Sequence, residues 1–426
     1  ALSSAASDVY KRQEVDIPAK IEGLPVATIG IYAFAYCESL TSITIPESIS
    51  QINIWAFKDC LSLISINIPD NVVYISSSAF YGCKSLTDIN VTENNKYYSS
   101  SAGLLFDKNK TELIKYPAGK SLKNFNIPNG VKSLDRYSFC NCSNLTSINI
   151  PESVTYIGIG AFYLCTNLKS IAIPDSVTKI ENITFTGCSS LTSISIPESV
   201  TYIGLNAFKD CTSLTSIYIP DSVTLTGLSG TFSGCTSLTN VKLPDVIYII
   251  NTNTFAGCSS LLNIIIPDSV TSIKECAFYN CSNLTSITIP DSVASIENSA
   301  FYNCTSLKSI AINNPDCEIS NDKDTIPETA VICGYENSTA QAYAERYYKR
   351  FVAIEDIGDI SGSGEIDLYD AIEISKAIMG LRTFTAEEMI IADFNMDGTV
   401  DLYDAIEIAR TVSYTHLRAH ETKANL

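Results

Sequence analysis

The chain has 426 residues, 46% of them hydrophobic, a formal net charge of −18 and only two histidines. That length suggests several modules or a repeat array rather than one core. The charge argues against a nucleic-acid partner, because phosphate recognition needs a basic surface, and the scarcity of histidine leaves little room for His-based catalysis or zinc. No stretch approaches the roughly 18 apolar residues of a membrane-spanning helix, and no secretory leader pattern is present. An acidic extracellular or calcium-binding protein fits better.

Residues 3–13 and 412–422 read differently from the rest. Asp8 to Gln13 is the translation of GAT GTG TAT AAG AGA CAG, part of a transposase sequencing adapter. Val412 to His416 translates GTC TCT TAT ACA CAT, from the opposite strand of the same oligonucleotide. Segments 1–13 and 412–426 are therefore expected to be adapter-derived, with the gene continuing past both, and to carry no information about the fold. Both histidines, His416 and His420, fall in the second segment.

Between them, a Phe recurs from Phe34 to Phe301 and a Cys follows each one three positions later, from Cys37 to Cys304. The step is 23 residues, once 24, with a longer gap between Cys83 and Cys142. A fixed period of this size marks a solenoid, whose units bury their apolar faces only by stacking. Leu145, Ile148 and Ile150 give an L-x-x-I-x-I strand, which Pro151 ends because it has no N–H to donate. About 12–13 coils of 23 residues, with strands about 4.8 Å apart, predict a long parallel sheet. Ser147 and Asn149, and their equivalents from Ser42 to Ala311, are expected to face outward. They are mostly small and polar, with Tyr218 the one aromatic. Eleven cysteines at one repeat position read as a ladder of buried free thiols. Cys140, Cys276, Cys317 and Cys333 stand outside it, and a bridge between Cys317 and Cys333 stays open. Asp or Glu after each strand-ending proline is a turn position rather than a catalytic one.

Leu104–Phe106 and Leu113–Tyr116 flank Asp107–Lys110 and read as a hairpin inserted at about 92–120. After residue 314 the pattern changes, and a helix is predicted from Ser338 to Arg350. The repeated IPDSV and AF-x-x-C elements resemble the BspA-type, or Treponema pallidum-type, leucine-rich repeats over about residues 14–354. The resemblance implies a leucine-rich repeat solenoid over 14–314, with 315–354 as its C-terminal cap.

From residue 355 the chemistry is different. Asp367-Leu-Tyr-Asp-Ala-Ile-Glu-Ile recurs as Asp401-Leu-Tyr-Asp-Ala-Ile-Glu-Ile. Each copy completes a loop with Asp at positions 1, 9 and 12 and Gly at 6. Oxygen ligands at alternating positions suit calcium, which takes 6–8 oxygens. Loop 2 offers Asp393, Asn395, Asp397, Thr399, Asp401 and Asp404. Loop 1 offers Asp359, Ser361, Ser363, Glu365, Asp367 and Asp370. Serines at its positions 3 and 5 predict a degraded, weaker site. Two such loops, each followed by a helix, resemble a dockerin over about 355–411, cut by the adapter after Thr411. The resemblance implies a small α-helical EF-hand-like module, calcium as cofactor and a cohesin domain of a scaffold protein as partner. It also assigns cohesin recognition to loop positions 10 and 11: Leu368, Tyr369, Leu402 and Tyr403. The matching pairs imply a near two-fold surface that could dock in two orientations.

The combined reading is a non-catalytic, extracellular or cell-surface binding protein, carried on a cellulosome-type scaffold, whose repeats face an unknown protein or glycan. Two alternatives stand beside it. One is a fragment of a polysaccharide-degrading enzyme whose catalytic domain lies upstream. The other is a host-directed adhesin.

Overall fold

The computed structural model describes residues 13–224, 228–385, 388–395 and 398–424. It is a parallel β-solenoid of about 14 turns, followed by a helical module. The chain divides into two compact units, residues 1–238 and 239–426.

In the first unit most described coils contribute two short strands. One row pairs Asn124–Asn126, Ser147–Asn149 and Ser170–Ile171 in parallel, Ser147 opposite Ser170. The other row pairs Thr28–Ile29, Gln51–Ile52 and Tyr74–Ile75. Alternation follows the pleat: Ile148 is buried between half-buried Ser147 and exposed Asn149. Between the two rows the chain turns tightly around the repeat Phe. Phe162, Phe185 and Phe208 are fully buried and stack at 5.4 Å between ring centroids. Three residues on, each thiol reaches back one coil. Cys188 Sγ donates to Phe162 O at 3.2 Å, and Cys211 Sγ to Phe185 O at 3.2 Å. The small thiol thus fills the core and gives a second donor to a carbonyl that already closes its own turn, Phe162 O accepting from Cys165 N at 3.1 Å and Phe185 O from Cys188 N at 3.0 Å.

One coil departs from the pattern. Leu104–Asp107 and Glu112–Lys115 form an antiparallel hairpin, and a further strand, Tyr98–Ser101, pairs with the first. Buried Asn95 pins its start: its Nδ2 donates to Pro69 O and Val72 O, and its Oδ1 accepts from Tyr97 N and Tyr98 N. Tyr116 takes the Phe place here and stacks on Phe139 at 5.2 Å. Gly119 takes the Cys place, where a Cβ would lie 2.5 Å from the Ser85 backbone.

In the second unit the coils continue. Ser286–Ile289, Ser309–Ile312, Val331–Gly334 and Phe351–Ala353 form one parallel sheet, and Ile249–Ile250, Ser272–Ile273, Ser295–Ile296 and Glu318–Ile319 another. Helix α1 (Thr339–Arg346) starts at Ser338, whose hydroxyl accepts from Gln341 N. It stops four residues before the predicted Arg350. Tyr348 adopts φ 55°, and the chain turns into the strand Phe351–Ala353, which adds to the sheet. Cys317 and Cys333 are both buried and free, so the open question of a bridge resolves against it. All eleven ladder thiols are likewise buried.

Among the described residues three α-helices follow: α2 (Leu368–Ile378), the short α3 (Glu388–Ala392) and the longer α4 (Leu402–Ala424). The predicted end at Thr411 is passed by α4, which runs on through 412–424. Their core joins Ile374, Ala392, Ala405, Ile408 and Val412. A second cluster lays Ile357, Ile390, Ile391 and Phe394 on Ala311, Val331, Cys333 and Val352 of the last strands. One expectation therefore needs correcting. Ser286, Ser309 and Ala311, read as outward sheet positions, are buried because the helical module sits on them.

Candidate functional site

The two loop-helix copies fold alike. Asp367 caps α2 by accepting from Tyr369 N at 2.6 Å, and Asp370 accepts from Asp367 N at 2.8 Å to close a capping box. In the second copy Asp401 accepts from Tyr403 N at 2.6 Å and Asp404 from Asp401 N at 2.8 Å. Position 12 thus serves the helix and the loop together. Its other oxygen turns into the loop, with Asp370 Oδ1 accepting from Ser361 N and Asp404 Oδ1 from Asn395 N.

Position 1 faces it. Asp359 accepts from Ser361 Oγ, Ser363 N and Gly364 N, and Asp393 accepts from Gly398 N at 2.8 Å. Burial works against the charged form of Asp359, but the bonds from Gly364, Ser361 and Ser363 outweigh it and hold its carboxyl below the usual range. Gly364 and Gly398 take φ 85° and 88°, the left-handed turn at position 6 that favours glycine. Asp359, Asp370, Asp393 and Asp404 are all buried. Two buried carboxylates per loop, ringed by oxygens and backbone amides, suit a hard cation and nothing softer.

The loops differ as their sequences do. In loop 1 the Ser361 hydroxyl is spent on Asp359, and Ser363 Oγ on Glu365 O. Asp397, position 5 of loop 2, lies outside the described residues. Among the described residues no three His, Cys, Asp or Glu side chains form a ready-made metal cluster. Glu365 and Thr399 stand at position 7 of the two loops, and Glu365 O accepts from Ser363 Oγ at 2.9 Å.

Six copies of a family model for the BspA type leucine-rich repeat region match residues 10–119, 114–229 and 228–323. The chain belongs to this family. A second model, the dockerin type I domain, matches residues 357–413. Among solved structures, a leucine-rich repeat protein from Bacteroides ovatus is 28% identical, with a TM-score of 0.50, over 80% of this chain and 91% of its own. A leucine-rich repeat protein from Eubacterium ventriosum is 25% identical, with a TM-score of 0.48, over 63% of this chain and 82% of its own. Comparison with curated proteins gives no match. Both domain types of this BspA-type dockerin protein are non-catalytic, and calcium and a cohesin partner follow from the dockerin. Among the described residues no helix is long and apolar enough to cross a membrane.

In the dockerin, Leu368, Tyr369, Leu402 and Tyr403 are all more than half exposed. They do not pack inside. Leu368 and Leu402 open onto an apolar groove between α2 and α4, floored by Ala371, Ala405, Ser375 and Ala409 and walled by Ile372 and Ile406. Every groove residue has its counterpart 34 positions away, so the groove carries the two-fold relation of the loops. Sequence reasoning stopped at the Leu-Tyr pairs and missed Ile372 and Ile406. Both are exposed isoleucines on helices with a buried core face. An ion cluster joins Glu373 to Lys376 at 2.6 Å and to Arg382, which also holds Glu388 at 2.6 Å. It ties the linker after α2 to the start of α3.

Proposed function

We propose that this protein is an extracellular, non-catalytic component of a cellulosome-type assembly. Its dockerin, ordered by calcium in two loops, is captured by a scaffold cohesin. Its coils then present a repeat surface to a protein or glycan. Asp393, Asn395, Asp397, Thr399, Asp401 and Asp404 would hold the stronger calcium. Asp359, Ser361, Ser363, Glu365, Asp367 and Asp370 would hold the weaker one. Bound calcium would balance the negative charge that two buried carboxylates bring to each loop.

One observation carries the reading: two identical, exposed Leu-Tyr pairs flank one apolar groove on helices whose starts are the calcium loops. Exposed apolar and aromatic side chains around a shared groove are what a partner surface needs. The test is capture of the full chain by a panel of cohesins, with calcium and with chelator. Capture in calcium and release by chelator is expected. A chelator-insensitive complex, or no capture by any cohesin, would overturn it.

A further inference from the structure

A cavity of about 380 Å³ lies on the solenoid of the first unit. Two repeat positions build it. The position two before the core Phe supplies Trp55, Tyr137, Ile183 and Asn206, and the position after the Phe supplies Lys58, Tyr81, Tyr163, Thr186 and Lys209.

The first of these positions is left-handed in the coils, with φ 55° at Trp55, 54° at Tyr137 and 52° at Ile183. Other coils share that backbone, at Tyr32, Gly160, Gly230, Asn253, Cys276 and Ser299 alike, so the turn belongs to the repeat and fixes the direction of whatever side chain stands there. The rings are also fixed by neighbours. Tyr137 meets Tyr81 at 6.1 Å and Tyr163 at 6.3 Å, each edge to face at 87°. Beneath, the buried Lys115 ammonium donates to Tyr137 O at 2.8 Å. At one end Lys58 Nζ sits 2.8 Å from Tyr36 Oη and 6.0 Å from the Tyr81 ring. At the other, Thr186 Oγ1 donates to Asn206 O at 2.5 Å, beside Lys209.

Flat aromatic walls, an amide and a hydroxyl, in a preformed concavity, match the apolar faces and hydroxyls of pyranose rings. The charge narrows the class. In a chain of net charge −18 the lining holds two lysines and no acidic residue. We propose that this cavity binds a polysaccharide segment bearing uronic-acid residues. Rings stack on Trp55 and the tyrosines, and carboxylates pair with Lys58 and Lys209. The proposal rests on the reading of the coils as a displayed ligand surface and names the place and the chemistry.

The full chain would be titrated, in calcium, with polygalacturonate, alginate and glucuronoxylan, and with methyl-esterified polygalacturonate as the uncharged control. Cohesin capture is measured alongside as an independent check on the dockerin. Wild type should bind at least one acidic polymer, and esterification should weaken binding to polygalacturonate. Trp55→Ala with Tyr163→Ala should weaken acidic binding at least about tenfold, and Lys58→Gln with Lys209→Gln should abolish the preference for the acid over the ester. Unchanged melting and cohesin capture in the variants show that they fold. Four results would overturn the cavity: no acidic polymer bound while cohesin still captures, a preference for the ester, binding that both variants leave intact, or an acidic peptide outcompeting every polymer. A glycan bound equally by wild type and variants would leave the display reading standing and remove only this site. Loss of cohesin capture in wild type would instead fault the dockerin reading.

Discussion

The calcium loops differ residue by residue, and their difference should be measurable. Loop 2 keeps Asp393, Asn395 and Asp401, while loop 1 places the Ser361 and Ser363 hydroxyls where an amide and a carboxylate would stand, and both hydroxyls are engaged within the protein. Fewer charged ligands lower calcium affinity. Asp393→Ala should therefore cost more in calcium titration of the full chain than Asp359→Ala, with a difference of at least about tenfold in the affected site. Equal losses would contradict the ranking. This contrast was legible because ligand identity lies in the linear order of each loop. What could not be read there is the double duty of Asp370 and Asp404. Each joins the helix cap to the loop, and that depends on where the backbone amides of Asp367 and Asp401 turn.

Elements pair as the sequence repeat suggests, but the surface they make together is larger than either copy shows. The repeated Asp-Leu-Tyr-Asp-Ala-Ile-Glu-Ile announces two like helices. Their groove needs α2 and α4 side by side, so Ile372 and Ile406 read in sequence only as members of an amphipathic stripe. If either half of the surface can engage the partner, Leu368→Ala with Tyr369→Ala should leave cohesin affinity within about threefold of wild type. Replacing Leu402 and Tyr403 as well should remove binding. A two-residue variant that fails outright would exclude docking in two orientations. The same limit explains the turn at Tyr348, which depends on the strand Val331–Gly334. The strand Tyr98–Ser101 was hidden for another reason: its partner Leu104–Asp107 is its neighbour in sequence, but Tyr-Ser-Ser-Ser carries no apolar alternation.

At the scale of the whole molecule, the 23-residue period made the solenoid legible, because every coil repeats the same Leu, Ile, Phe and Cys places. The dockerin's cover over Ser286, Ser309 and Ala311 was not legible, since nothing in their own coils distinguishes them from exposed equivalents. The lining of the tyrosine cavity was hidden for a related reason: Trp55, Tyr137 and Ile183 come together only when the coils are stacked in register. Stability in such a stack is close to a sum over coils and their neighbours. Phe185→Ala removes one fully buried ring and two stacking contacts, so it should cost about 3–5 kcal/mol, seen as a lower melting temperature.

The thiol ladder gives that stack a second use. Burial pushes Cys188 and Cys235 up to about 12, far from the thiolate that alkylating reagents attack, and each sulfur is turned inward onto a carbonyl of the preceding coil. A closed coil is therefore chemically silent, and an open one announces itself with one reactive sulfur. Mass spectrometry of a briefly alkylated sample would count open coils like marks on a tape. In Phe185→Ala the first marks should fall at Cys188 and Cys211, and labelling spread evenly over the ladder would show that the coils part together rather than one by one.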